Sequence, residues 1–195
     1  MTSKYEEKPG WEKALLLYLH DLICMLMAIL LIFLIFFRII VVSGDSMYST
    51  LVDGDYVLLL NNLFYSEPEQ GDIVVISKQS YHNGSPIVKR VIATEGQSVD
   101  IDNMTSTVYV DGIAIEEAYI HTPTMHSGTT QFPLVVEAGC LFVMGDNRGV
   151  SLDSRDQQIG QVDKREVLGK ALYLMFPGSN HGMEHPDTTR MGEIK

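Results

Sequence analysis

Residues 87–93 read Ile87-Val88-Lys89-Arg90-Val91-Ile92-Ala93. The stretch is short, rich in β-branched residues and apolar at five of its seven positions, as a buried strand would be. Side chains alternate across a strand. Ile87, Lys89, Val91 and Ala93 would share one face, and Val88, Arg90 and Ile92 the other. A lysine then stands in an apolar row while the neighbouring arginine points away from it. Burial disfavours the ammonium and lowers its pKa, by several units in the extreme. The alternative is an edge-strand lysine whose stem lies on apolar surface and whose head reaches water. The seven residues leave both open.

The chain on either side follows the same pattern. "DYVLLL" (55–60), "DIVVIS" (72–77), "SVDI" (98–101), "TVYVDGIAI" (107–115), "CLFVMG" (140–145) and "ALYLMF" (171–176) are short apolar runs separated by Gly, Asp, Asn and Pro. That predicts a mainly β domain. Asp111-Gly112 predicts a tight hairpin between two of the strands. The polar stretch from Tyr119 to Phe132, with Pro123 and Gly128, predicts an excursion rather than a core element. From Ser179 onward the sequence reads as a loose tail.

The N-terminal part differs. Sixteen consecutive apolar residues run from Leu22 to Phe37; Arg38 interrupts, and Ile39-Ile40-Val41-Val42 continue. A helix of that length crosses a hydrocarbon core of ~30 Å. A secretory signal would have a shorter apolar stretch and a small-residue cleavage site. Arg38, near one end, can snorkel to the headgroups. Lys4, Lys8 and Lys13 before the span favour a cytoplasmic N-terminus, since acidic neighbours count little in that rule. The expected organisation is a cytoplasmic tail (1–21), a transmembrane helix (22–42), an extracytoplasmic domain (43–178) and a loose tail (179–195). A chain of 195 residues suits one domain plus an anchor.

Composition excludes some partners. The net charge of −11 falls entirely after Val42. An acidic domain lacks the Lys and Arg clusters that phosphate contacts need, so no nucleic-acid partner is expected. The two cysteines, Cys24 and Cys140, lie far apart and form no zinc pattern. His121 with His126, and His181 with His185, leave a metal site as a bare possibility.

Chemistry enters at residues 44–49, Gly44-Asp45-Ser46-Met47-Tyr48-Ser49. Gly and Asp alone would make this a turn. Serine needs a base to act as a nucleophile. None of the six histidines sits on a strand that would aim it at Ser46. A neutral, buried Lys89 is the other candidate base. A third stretch, Gly145-Asp146-Asn147-Arg148-Gly149-Val150-Ser151-Leu152-Asp153-Ser154-Arg155, concentrates polar residues directly after an apolar run. Ser151 could orient an ammonium, and Asp153 with Arg155 could brace the loop.

In order along the chain, the apolar span, "GDSMYSTL", "GDIVVI", "KRVIA" and "GDNRGVSLDSR" resemble type I signal peptidases over roughly Leu22 to Pro177. The resemblance implies a membrane-anchored serine endopeptidase that removes signal peptides from exported preproteins through an acyl-enzyme. Ser46 would be nucleophile and Lys89 general base, with Ser151 holding the lysine and Asp153 and Arg155 in support. No metal or cofactor is implied. Implied partners are signal-peptide-bearing preproteins, the lipid bilayer and, by proximity, the secretion translocon. The implied fold is a β-rich domain of antiparallel sheets with a shallow apolar groove. Substrate would lie extended along an exposed strand edge, and the resemblance implies small residues, usually alanine, at the first and third positions before the cut. Gly44 stands where many Gram-negative relatives carry an oxyanion-holding serine, so the chain resembles the shorter Gram-positive form. Ser49 replaces a proline common in the motif, and Ala93-Thr94-Glu95-Gly96-Gln97 replaces the usual Gly-Leu-Pro-Gly-Asp. An inactive relative acting as a chaperone in surface-protein assembly is the alternative, but would be expected to lack the serine or the lysine. A self-cleaving Ser-Lys repressor would need a DNA-binding module in place of the span.

Overall fold

The protein is described by a computed structural model covering residues 10–79, 81–178 and 186–194. It divides into two compact units, one ending at Phe36 and one beginning at Phe37. In the first, helix α1 spans Trp11–Phe36. Its 26 residues reach ~39 Å, more than the thickness of a bilayer core. No residue of α1 is buried, and its part from Leu22 to Phe36, apolar all round and uncovered by protein, suits lipid. Lys4 and Lys8, used above for orientation, lie outside the described residues.

The helix does not run to Val42. It ends at Phe36, and Phe37–Val41 form strand β1, paired residue for residue with Tyr56–Leu60. The expected helix 22–42 is corrected at both ends. Hydrophobicity reads alike for helix and strand. Here the β-branched Ile39-Ile40-Val41 favour the extended form and find an antiparallel partner. Arg38 consequently stands in a strand opposite Leu59.

The second unit is built from strands. They are β2 (Tyr56–Asn61), β3 (Ile73–Ile76), β4 (Ile87–Thr94), β5 (Ser98–Asp102), β6 (Thr107–Val110) and β7 (Ile113–Ala114). After these come β8 (Leu134–Val135), β9 (Cys140–Met144), β10 (Val162–Asp163), β11 (Val167–Phe176) and β12 (Gly192–Glu193). The large sheet has the order β1-β2-β11-β3-β4-β9-β10, with β12 added on β11; the small one is β7-β6-β5-β8. Every pairing between these strands is antiparallel. The mainly β expectation is met. Asp111 and Gly112 both have positive φ, as a two-residue hairpin turn between β6 and β7 requires.

The middle of the large sheet is buried on both faces, while its β1 end is exposed on one. Val57, Leu59, Ile73 and Val75 pack with Met47 and Leu51 on one side. Val74, Ile76, Val91 and Val143 pack with Ile159 and Val162 on the other. A third cluster joins Ile92, Phe142 and Met144 to Val99 and Val108 of the small sheet. β4 runs through all three, and each residue from Lys89 to Ala93 is buried. The expected alternation holds from Ile87 to Val91. A register shift between Val91 and Ala93 then moves Ala93 into the cluster of Ile92, so Ala93 leaves the row of Lys89.

The C-terminal expectation also needs correction. Residues 179–185 lie outside the described residues, with His181 and His185 among them. Beyond them the chain is docked: β12 pairs with Tyr173 and Leu174, and Ile194 packs against the cluster of Met47 and Leu51. A buried carboxylate, Asp55, holds Arg190 there at 2.7 Å.

Candidate active site

Ser46 lies in the turn that follows β1. Gly44, with φ of 86°, reverses the chain, and its N–H donates to Asp53 at 2.8 Å. The Tyr48 N–H donates to the Asp45 carbonyl at 3.1 Å and the Leu51 N–H to the Met47 carbonyl at 2.8 Å. Met47 and Leu51 are sunk in the core. Two apolar anchors therefore fix a short loop whose serine is left half-exposed. The Ser46 N–H donates to no acceptor among the described residues, so it is available to an incoming carbonyl oxygen.

Lys89 reaches the same point from β4. Its Nζ lies 2.8 Å from Ser46 Oγ and 3.0 Å from the Val88 carbonyl. The residue is only 3% exposed. Burial pushes its ammonium down to about 8; Asp153 and Asp146 pull it back up, and Arg155 lowers it. The edge-strand reading of Lys89 is excluded by this burial: β4 is flanked by β3 and β9.

The loop from Gly145 to Arg155 closes the arrangement from a third side. The Asn147 N–H donates to the Ser46 carbonyl at 3.0 Å, and Asn147 Nδ2 to the Asp45 carbonyl at 3.1 Å. A Cβ on Gly145 would collide with the Ser46 carbonyl and Ser151 Oγ, so only glycine allows the approach. Asp153 takes Arg155 Nε at 2.8 Å and Nη2 at 2.9 Å, and the Gly145 N–H at 3.0 Å. Arg155 also donates to the Arg148 carbonyl at 2.9 Å. Asp153 and Arg155 are thus paired with each other and tie the two ends of the loop. Ser151 is near but differently placed from its expected part. Its Oγ is buried and has no hydrogen-bond partner among the described residues, and Lys89 bonds the Val88 carbonyl instead.

Several residues escaped the sequence reading. Arg90 was expected only to point away from Lys89. It does, and it meets Asp146 in a buried two-pronged pair at 2.9 and 2.7 Å. Thr50 donates to the same carboxylate at 2.5 Å. Arg148 pairs with Glu117 and bonds Thr124 at 2.6 Å, which covers the loop with the Tyr119–Phe132 excursion. The His121 ring meets the Tyr48 ring edge-on at 4.6 Å. The dense polar motif signalled Asp146 and Arg148; nothing in the sequence signalled Glu117 as a partner.

Two cavities meet at Ser46. One, of about 350 Å³, is lined by Ile40, Val42, Met47, Val75 and Val88 and is mainly apolar. The other, of about 420 Å³, is lined by Lys89, Tyr81, Ile87, Val150 and Leu152. A serine, a desolvated amine and an adjoining apolar hollow suit attack on a carbonyl carbon beside an apolar group.

Comparison with known proteins bears on the same segments. The family described as "Signal peptidase, peptidase S26" matches residues 15–176. "Probable signal peptidase I-1" of Synechocystis sp. is 37% identical over 149 residues, 72% of this chain and 72% of its own length. "Signal peptidase I" of Bacillus licheniformis is 33% identical over 186 residues, 90% of this chain and 92% of its own. The crystal structure of a signal peptidase I from Enterococcus faecalis V583 is 29% identical, with a TM-score of 0.45 over 53% of this chain and 96% of that one. The family match runs from the first turns of α1 to the last residue of β11, and relatives above 30% identity extend along most of the chain. This protein belongs to the signal peptidase family, peptidase S26.

Proposed function

We propose that the protein is a membrane-anchored serine endopeptidase that removes signal peptides from preproteins by a Ser46–Lys89 dyad. One observation carries the reading: Lys89 Nζ stands 2.8 Å from Ser46 Oγ in an environment that pushes the lysine down to about 8. At pH 7 roughly a tenth of such lysines are neutral, against about one in three thousand at the ordinary value.

The neutral amine accepts the Oγ proton as Oγ bonds to the scissile carbonyl carbon. The Ser46 N–H supports the oxyanion. The lysinium then protonates the leaving amide nitrogen, the C–N bond breaks and an acyl-enzyme remains. Water attacks the ester with Lys89 again as base, which frees the carboxylate and restores Ser46. Asp153 and Arg155 support the loop that holds the Ser46 backbone, and Ser151 can turn its hydroxyl to the lysinium once charge develops there. Substrate would add along the outer edge of β1, the last strand of the sheet on that side.

We assign α1 as a single-pass anchor in the cell membrane, with the N-terminus cytoplasmic and the domain from Phe37 outside, near the secretion translocon. The exposed row Ile39, Val41, Tyr56, Tyr173 and Phe176 on β1, β2 and β11 supports a lipid-adjacent domain, since it begins three residues after α1. Protease added to intact protoplasts should digest the domain; protection until lysis would reverse the topology. For the dyad, Ser46→Ala should fold normally and lose cleavage of a preprotein by ~10⁴-fold or more. Near wild-type turnover in this variant would remove Ser46 from the mechanism.

A further inference from the structure

The nucleophile loop is held from a direction that its own motif does not supply. Asp55 closes the loop: its carboxylate is fully buried and accepts the Val52 N–H at 2.8 Å and the Gly178 N–H at 2.7 Å. Arg190, from the far C-terminus, meets both oxygens of that carboxylate at 3.1 and 2.7 Å. The same guanidinium donates to the Thr50 carbonyl at 3.2 Å. Thr50 Oγ1 in turn donates to Asp146, which grips Arg90. Arg90 is chain neighbour to Lys89, and Asn147, chain neighbour to Asp146, holds the Ser46 carbonyl. Arg190 therefore sits at the root of a continuous set of bonds that reaches both members of the dyad.

The segment around it is fixed independently of this side chain. β12 pairs with β11, the Ile194 N–H donates to the Leu172 carbonyl at 3.1 Å, and Ile194 packs against the cluster containing Met47 and Leu51. Asp187 caps the turn Thr188–Arg190 and presents the arginine.

We propose that Asp187–Ile194 is a latch on the nucleophile loop and that Arg190 is a positioning residue for the Ser46–Lys89 pair. The proposal rests on the Ser-Lys reading above. Arg190 acts through Thr50 and Asp55 and touches no substrate. Removing it frees the Thr50 end of the loop and leaves Asp55 as a buried carboxylate with backbone donors alone. A displacement of ~1 Å between nucleophile and base is enough to cost ~100-fold in rate.

The test uses the full chain in detergent, with a preprotein substrate and an acylating inhibitor to count competent sites. Arg190→Ala should lower kcat per competent site by ~10-fold or more while KM stays within about twofold. Its rate-against-pH midpoint should move above the wild-type value, because a loosened pair admits water to Lys89. Millimolar methylguanidinium should restore part of the rate. Arg190→Lys keeps the charge but cannot bridge Asp55 and Thr50 together, so it should show a smaller loss of the same kind; it serves if the alanine variant does not fold. A lower Tm with wild-type kcat and pH midpoint in the folded variant would overturn the latch. Wild type and Ser46→Ala run alongside separate the two claims. If Ser46→Ala cuts, the Ser-Lys reading fails; if it does not cut and the Arg190 variants behave as wild type, only the latch fails.

Discussion

Lys89 and Arg90 are neighbours in β4, both cationic and both almost wholly buried, at 3% and 2% exposure. They are treated in opposite ways. Arg90 points to one side, where Asp146 meets it with two hydrogen bonds, the Gly71 carbonyl takes a third at 2.9 Å and the Tyr119 ring lies 4.0 Å from its guanidinium carbon. Lys89 points to the other side. There it meets a hydroxyl and a carbonyl, and no carboxylate among the described residues is within salt-bridge reach. A buried cation with its counter-ion is a structural joint. A buried cation without one tends to give up its proton. On the proposed dyad, the difference between these two residues is the difference between holding the site and operating it, and strand alternation alone sends them to their separate sides.

The comparison breaks most visibly at Lys89. Lys89→Met keeps the length of the side chain, removes the proposed base and should lower cleavage by ~10⁴-fold. Lys89→Arg should be nearly as inactive, since arginine stays protonated. The methionine variant should also be the more stable protein. The folded Lys89 sits at about 8 against an ordinary 10.5. Between those values the unfolded chain binds more protons, so wild-type stability rises with pH across that window. Below it, the lysine costs the fold about 3 kcal/mol, which methionine should relieve at pH 6 and hardly at all at pH 10.5. Equal stability of the two proteins at pH 6 would mean that Lys89 is solvated.

Arg90 should respond as a structural joint does. Arg90→Met leaves Asp146 as a buried, uncompensated charge and should cost about 3–5 kcal/mol in denaturant unfolding. Adding Asp146→Asn should recover a good part of that loss, because neither charge is then left alone. Strictly additive losses in the double variant would contradict direct coupling of the pair.

The smallest effect is expected at Ser151, whose hydroxyl is buried with no partner among the described residues. Removing an unsatisfied hydroxyl is neutral or slightly favourable to folding. Ser151→Ala should therefore keep its Tm, while losing ~10-fold in activity if the hydroxyl turns to the lysinium during turnover. A full-activity variant would confine the lysine's partners to Ser46 and Val88.

This contrast was partly legible in the sequence. Period-two alternation sends Lys89 and Arg90 to opposite faces, and "GDNRGVSLDSR" marks where their surroundings lie. The hairpin at Asp111-Gly112 was legible because its two positions need positive φ. The end of α1 was not, because an apolar run has the same composition in a helix and in a buried strand. Ala93 was misplaced for a different reason: a register shift depends on the partner strand, which local alternation does not see. The docking of Arg190 was hidden because its partner, Asp55, is 135 residues away and nothing local to either residue marks the pairing.

The central claim is that Lys89 works as a neutral base beside Ser46, and the pH dependence of acylation tests it most directly. The rate at which the full-length protein is acylated by a mechanism-based inhibitor, measured from pH 6 to pH 11, should rise with a single midpoint near 8 and then level off. A midpoint near 10.5, or a rate indifferent to pH across that range, would contradict it.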